Sequence, residues 1–293
     1  MQTKRQIQQL LASAGVRPNK RLGQHFLIDL NLMKKLVDSA NIGKGDIVLE
    51  VGCATGSLTE ALAERAGRVL AVELDGILAK IAERQLANKK NVKVINTDIL
   101  ENKSTISAAV TDALADVRGI YPGRVLLIAN LPYNVASAVM LNLTKGPTTT
   151  DAMYVTVQKE VADRMTAAVG SSDYGTLSIY LSATGDVKTE KTLKPTVFWP
   201  RPQVDSAMVS FVRDEEKARR IHSMQLFSGV VHLFVGHRRK MLKTCTKSAT
   251  GRLAEINNWP EIFEQCSIAP TNRPAQLAPD DYIAITNLCY KYL

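Results

Sequence analysis

The fold class this sequence predicts is α/β: a mostly parallel sheet with an antiparallel terminal pair, followed by a small all-helical C-terminal domain. Three observations carry it. From Asp46 to about Val157, short apolar runs alternate with helical patterns, and such alternation builds a parallel sheet with helices on both faces. Two later strand-like runs follow without clear crossover helices, which favours an antiparallel ending. Beyond residue 213 the pattern turns helical.

The elements follow in order. Ile47–Val51, Val69–Val72, Val92–Ile95, Val125–Ala129 and Met153–Val157 are compact apolar runs and read as buried strands. Between them, Leu58–Ala66, Ile77–Leu86 and Val135–Leu143 have helical spacing. Ala183–Lys191 and Val204–Val212 add two strands, and a charged break at Arg213–Lys217 follows. Past the break, Phe227, Val230, Val231 and Phe234 fall at i, i+3, i+4, i+7, and the stripe continues through Met241, Leu242 and Cys245. The expected division is therefore 1–213 and 214–293.

Composition removes several classes. The chain is 45% apolar and 22% charged, which argues for a packed core and against disorder. No apolar run approaches the roughly 20 residues of a membrane span, and the N-terminal MQTKRQIQQLLASAG has no secretory signature. The chain is expected in the cytoplasm, although that basic, acid-free start leaves an organelle signal open. Cys53, Cys245, Cys266 and Cys289 form no C-x-x-C, and the four histidines form no H-E-x-x-H, so no metal site is expected.

The net charge of +9 is concentrated. Residues 1–28 hold Lys4, Arg5, Arg17, Lys20 and Arg21 without an acid, and residues 236–252 hold Arg238, Arg239, Lys240, Lys243, Lys247 and Arg252 without one. Two patches rather than a uniformly cationic surface suggest a polyanion partner. Arg239, Lys243 and Lys247 repeat at i, i+4, i+8, which on a continuous helix gives one basic stripe.

The strand Ile47–Val51 runs into Gly52-Cys53-Ala54-Thr55-Gly56 before a helix. Small residues there let a ligand approach the backbone at the positive end of the helix dipole. Glu73, ending the second strand about 20 residues on, has the placement that binds ribose hydroxyls in doubly wound folds. Asp98, after the third strand, is a candidate acceptor from the adenine amino group of a nucleoside cofactor; a solvated strand terminus is the alternative. The fourth strand ends in Asn130-Leu131-Pro132-Tyr133-Asn134. All four features sit at carboxyl ends of parallel strands, where open α/β sheets bind ligands.

The last segment points to chemistry on adenine. Its exocyclic amine is a poor nucleophile because the lone pair is delocalised into the ring. Carbonyl acceptors that bond both amino hydrogens pull the nitrogen toward tetrahedral geometry. The Asn130 side chain and the Leu131 carbonyl are candidates for this, Pro132 stiffens the turn, and Tyr133 is placed to stack on an extruded base. A strand end with a capping Asn and a buried Tyr is the plainer reading.

The sequence resembles the small-subunit rRNA adenine dimethyltransferases, which are S-adenosylmethionine-dependent enzymes with a Rossmann-like class I methyltransferase sheet. The resemblance spans nearly the whole chain: residues 21–27 (RLGQHFL), 49–52 (LEVG), 72–75 (VELD), 130–134 (NLPYN), 157–165 (VQKEVADRM), 174–178 (YGTLS), 198–206 (FWPRPQVDS) and Arg238-Arg239-Lys240. It implies N6,N6-dimethylation of two adjacent adenosines in a hairpin loop near the 3′ end of small-subunit rRNA. It also implies a role in ribosome biogenesis, with the small ribosomal subunit precursor as partner and the enzyme acting as a monomer. Matching motif by motif, it implies cofactor contacts from His25, Leu27, Gly52, Glu73, Asp98 and Asn130. The catalytic turn would be Asn130, Leu131 and Tyr133, with Phe198 facing the target base. RNA contacts are expected from Arg17, Lys20, Arg21, Arg238, Arg239, Lys240, Lys243 and Lys247. One departure is Cys53-Ala54, where the family commonly has Pro-Gly; the extra methyl predicts negative φ at Ala54.

Two rivals stay open. A related large-subunit rRNA adenine methyltransferase would share the core and the adenine chemistry, and a ribosome-assembly or transcription factor would keep the fold for RNA binding without catalysis. The stretch 198–206 and the basic C-terminal segment favour the small-subunit family, and intact Glu73, Asn130 and Tyr133 argue for catalysis.

Overall fold

The computed structural model describes residues 1–19, 22–146 and 148–293. The chain begins with α1 (Lys4–Ser13), β1 (Phe26–Leu27) and α2 (Leu30–Ser39). The alternating region then runs β2 (Ile47–Val51), α3 (Ser57–Arg65), β3 (Arg68–Glu73), α4 (Gly76–Gln85) and β4 (Val92–Asn96). A hairpin, β5 (Leu100–Asn102) and β6 (Thr105–Ile106), precedes α5 (Ala108–Arg118), β7 (Val125–Asn130), α6 (Ala136–Lys145) and β8 (Ala152–Gln158). Next come α7 (Lys159–Met165), α8 (Thr176–Thr184), β9 (Gly185–Leu193), β10 (Phe198–Trp199) and β11 (Ser206–Arg213). The remaining helices are α9 (Glu215–Arg219), α10 (Met224–Val235), α11 (Leu242–Cys245), α12 (Trp259–Gln265) and α13 (Pro279–Tyr292).

Seven strands form one sheet in the order β4-β3-β2-β7-β8-β11-β9. The pairs β4/β3, β3/β2, β2/β7 and β7/β8 are parallel, and β11 runs antiparallel to β8. All five residues of β2 are buried, as are the first five of β7. Central strands buried on both faces need this continuous apolar composition. One face packs Leu36, Val37, Val48, Leu62, Val69 and Ile128 into a shared core. Side-chain caps fix helix starts beside the sheet: the Asp29 carboxylate accepts from the Asn31 and Leu32 amides, and Asp75 does so from Ile77 and Leu78. The crossover helix α5 and the β5–β6 hairpin are elements the apolar pattern did not announce.

The chain divides into two compact units, Met1–Ala162 with Lys188–Val212, and Asp163–Val187 with Arg213–Leu293. Sequence reading kept 163–187 with the sheet. In the structure α8 belongs to the helical unit, because this almost wholly buried helix packs on α9, α10 and α13. Within that unit Tyr174 Oη donates to the Leu277 carbonyl at 2.8 Å, and Phe227, Phe234, Phe263 and Tyr282 are fully buried. Among the described residues, no helix is long and apolar enough to cross a membrane.

Candidate active site

A cleft opens at the carboxyl ends of β2, β3, β4 and β7, lined by Gly52, Glu73, Asp98 and Asn130 together with His25 and Leu27. The residues expected to contact a cofactor thus converge from positions up to 105 residues apart.

The turn after β2 explains its own composition. Gly52 has φ of +78°, and a Cβ there would meet Pro132 Cγ at 3.1 Å. The glycine is needed for its backbone conformation and for the close approach of the Asn130–Tyr133 turn. Ala54 corrects an expectation: its φ is +52°, not negative. The left-handed conformation is held because the Ala54 amide donates to Glu73 Oε2 at 2.8 Å. The other oxygen, Oε1, accepts from the Asp75 amide at 2.9 Å. Glu73 is thereby locked between two turns, and burial still raises its carboxyl above the ordinary range despite those bonds. Gly56 begins α3 without a side-chain cap, leaving the helix N-terminus open beside the turn. Asp98 is exposed at the rim, where Oδ1 accepts from the Leu100 amide at 2.9 Å.

Asn130 also lines the cleft, and its amide nitrogen donates to the His25 carbonyl at 2.7 Å. Its Oδ1 accepts from the Thr156 hydroxyl at 2.5 Å. An amide oxygen has two acceptor sites, so one remains. The next residue, Leu131, is 1% exposed, and its amide donates to the Thr156 carbonyl. Tyr133 Oη shares a hydrogen with Ser206 Oγ at 2.6 Å, and the ring stacks on His25 with centroids 5.6 Å apart. His25 Nδ1 is 2.7 Å from the Pro200 carbonyl.

Phe198 is a second correction. It pairs with Leu27 across β1/β10 and is 1% exposed within the core cluster, so it has no face to offer a base. The two-residue strand pairing leaves its ring inside the cluster that also holds Leu32 and Leu36. Trp199 beside it is half-buried and stacks on Phe26.

Sequence reading passed over three contributors. Thr156 is fully buried and orients Asn130; a single threonine inside an apolar strand gives little signal. Glu50 lies within β2, lines the cleft, and its Oε2 has no hydrogen-bond partner. Burial, with Glu73 nearby, pushes its carboxyl up to about 8. A carboxylate inside an apolar run was the available clue. Gln2 ties α1 over the turn: its amide donates to Ser57 Oγ at 2.7 Å and its Nε2 to the Thr55 carbonyl at 3.0 Å, while the Thr55 hydroxyl donates to Gln2 Oε1 at 2.7 Å. Ile7 of α1 then lines the cleft.

The basic residues divide. Lys20 and Arg21 lie outside the described residues. Arg17, Arg239, Lys240, Lys243 and Lys247 are exposed. Arg238 is half-buried, with Nη2 donating to the Ser171 carbonyl at 3.0 Å, so it is tied into the fold. The expected continuous helix is absent: α10 ends at Val235, Gly236–Lys240 turns, and Met241 takes extended backbone as the cap of α11. Arg239, Lys243 and Lys247 therefore do not share one helical stripe. Clustered like charges disfavour a continuous helix, and Gly236 sits where a helix readily stops. Met241 is 44% exposed and does not belong to the apolar stripe.

The donor set fits a nucleoside cofactor with a cationic end. Glu73 offers buried acceptors, Gly52 lines the cleft with bare backbone, and the orphaned Glu50 oxygen lacks the partner a cation would supply.

Comparison with known proteins agrees in kind. The family model for ribosomal RNA adenine dimethylase matches residues 15–288. A protein named ribosomal RNA small subunit methyltransferase A from Halothermothrix orenii is 37% identical, with 97% of this chain and 92% of that protein covered. The one so named from Latilactobacillus sakei is 34% identical, covering 95% and 92%. Among solved structures, a dimethyladenosine transferase from Plasmodium falciparum superposes with a TM-score of 0.70 at 21% identity, covering 89% of this chain and 96% of that one. The 23S rRNA methyltransferase ErmE gives 0.60 at 20%, covering 89% and 98%, and both likenesses are of fold. By the family model and by these relatives, the chain belongs to the ribosomal RNA adenine dimethylase family.

Proposed function

We propose that the chain transfers methyl groups from S-adenosylmethionine to N6 of two adjacent adenosines in the hairpin loop near the 3′ end of small-subunit rRNA. It would dimethylate each as a cytoplasmic monomer acting on a small-subunit precursor. The observation that carries this reading is the Asn130 turn: Asn130 lines the cleft together with Glu73, and its Oδ1, accepting from Thr156, keeps a second acceptor site. The names of the relatives favour the small subunit over the large one.

S-adenosylmethionine, when bound, supplies a methyl group already electrophilic on a sulfonium sulfur. No side chain then needs to act as general base, since the amine can release its proton to water after transfer. Asn130 offers the free acceptor site of Oδ1 to one amino hydrogen, and the Leu131 carbonyl serves the second. After one methylation a single hydrogen remains, so the pocket must accept a methyl in the other position. Tyr133, backed by His25, gives the base a stacking face worth roughly 1–3 kcal/mol. Glu73 holds the ribose hydroxyls, and Asp98 the adenine amino group of the cofactor. Arg17, Arg239, Lys240, Lys243 and Lys247 supply phosphate contacts.

Glu73→Ala is expected to weaken S-adenosylmethionine binding about 10- to 150-fold, the loss of about 1.5–3 kcal/mol from a charged hydrogen-bond acceptor. Calorimetry checks this, and an unchanged dissociation constant removes Glu73 from the site. The reading as a whole is tested by tritiated methyl transfer to under-methylated small subunits, followed by mapping of the modified bases. Dimethylation of two adjacent adenines supports it; label confined to large-subunit RNA, or rRNA binding without transfer, overturns it.

A further inference from the structure

The helical unit contains a cavity of about 450 Å³ that plays no part in the chemistry above. It lies between α10 and residues 248–253. Its floor is apolar, from the buried side chains of Leu226, Leu233 and Leu253. Its rim carries His232, His237 and Arg252 with the Ser248 hydroxyl. No acidic residue lines it, and none occurs anywhere from 217 to 254, a stretch with nine lysines and arginines.

The rim is open to a ligand. Among the described residues, Arg252 has no ion-pair partner and His232 no side-chain hydrogen bond. His237 Nδ1 donates to the Leu233 carbonyl at 2.8 Å, which leaves Nε2 for a ligand. The Gly236 and His237 amides bond the carbonyls of His232 and Phe234. The carbonyls ending α10, which would otherwise repel an anion, are thus partly satisfied. Gly229, in the interior of α10, is a poor helix former. A Cβ there would approach Leu253 Cδ1 to 3.2 Å, so the glycine lets the leucine lie against the helix as the cavity floor.

We propose that this cavity receives one unpaired nucleotide of the RNA, with the base on the leucine floor and the phosphate on Arg252. An apolar floor beneath a purely neutral and cationic rim matches a flat base attached to an anion, and pockets for small ligands begin at about 300 Å³. Single-stranded RNA is commonly held by unstacking a base into such a recess. The inference rests on the rRNA reading above and adds a second point of contact, distinct from the cleft and from the exposed lysines.

The test uses the full chain and a short unstructured oligoribonucleotide bearing 4-thiouridine. Photocrosslinks are mapped by mass spectrometry, and affinity is followed by fluorescence anisotropy. Crosslinks are expected at cavity residues. Arg252→Gln, which removes the charge, and Ser248→Phe, which fills the space, should each weaken the oligonucleotide about tenfold with an unchanged thermal midpoint. Wild-type affinity in Arg252→Gln, or crosslinks confined to residues outside the cavity, overturns the proposal. So does adenosine monophosphate binding as tightly as the oligonucleotide, which assigns a free nucleotide. Polyglutamate binding lost in the same variants assigns an acidic peptide instead, and also overturns it. Methyl transfer by the wild-type chain to small subunits is read separately. Transfer without cavity crosslinks ends this inference alone, whereas absence of transfer ends the rRNA reading.

Discussion

Asn130→Ala is expected to lower the single-turnover rate of methyl transfer by about a hundredfold or more, the usual cost of removing one preorganised polar group aimed at a reacting atom. Cofactor affinity should fall far less. The reason is geometric. Asn130 is held at both ends, by the His25 carbonyl and the Thr156 hydroxyl, so the remaining acceptor site of Oδ1 has a fixed direction. Thr156→Val keeps the shape and removes the donor. The Asn130 amide loses one of the two bonds that fix its orientation, the one on its oxygen, and kcat should drop while KM changes little. Thr156→Ser should restore the rate, because the hydroxyl returns. Rapid-quench measurements decide the matter: a wild-type single-turnover rate in Asn130→Ala would remove polarisation of N6 from the mechanism.

A second large effect concerns stability. Glu50 is fully buried beside Glu73, and its carboxyl is pushed up to about 8 from an ordinary 4.5. The folded chain therefore holds this proton more tightly than the unfolded chain. As pH rises from about 4.5 the unfolded chain releases it first, so stability falls until the folded chain also releases it near 8, and the loss is then constant. Glu73, raised by burial as well, adds a loss of the same sign. Glu50→Gln has no proton to lose. Its advantage over the wild type should be small at pH 5 and grow to as much as about 4 kcal/mol at pH 9. Urea midpoints at the two pH values measure this, and parallel pH profiles for the two proteins would count against it. The same comparison with S-adenosylmethionine present should show a smaller advantage, since a cofactor cation held by Glu50 would favour the ionised carboxylate.

The sheet was legible because strands buried on both faces must be continuously apolar, as in Ile47–Val51 and Val125–Ala129, and because few other structures accommodate such runs between helical patterns. The cleft was legible for a related reason: the turns after β2, β3, β4 and β7 meet at one sheet edge whatever the helices do. Three things were not. The apolar periodicity through Leu242 and Cys245 is the same whether α10 continues or breaks and restarts, since both residues are buried in either case. Phe198 stands in a two-residue strand, too short for alternation to say which way its ring points. The positive φ of Ala54 depends on Glu73, nineteen residues away, accepting its amide. Such long-range bonds leave no local mark.

The attachment of α1 has a kinetic meaning. A ten-residue helix does not persist alone in water, so Lys4–Ser13 depends on Ile7 and Leu11 packing against Phe26, Leu78 and Ile81, and on the bonds of Gln2 to Thr55 and Ser57. Such a segment opens locally, well below the cost of global unfolding. Its Ile7 also lines the cleft, so a ligand filling that space is linked to the closed segment. At a hundredfold excess over its dissociation constant, a ligand that requires the closed form would suppress opening by about 2.7 kcal/mol. Amide exchange in α1 then becomes a clock for occupancy: the protons of Ile7 and Leu11 would slow about a hundredfold on saturation while those of β2, already exchanging only through global events, would respond to overall stability instead.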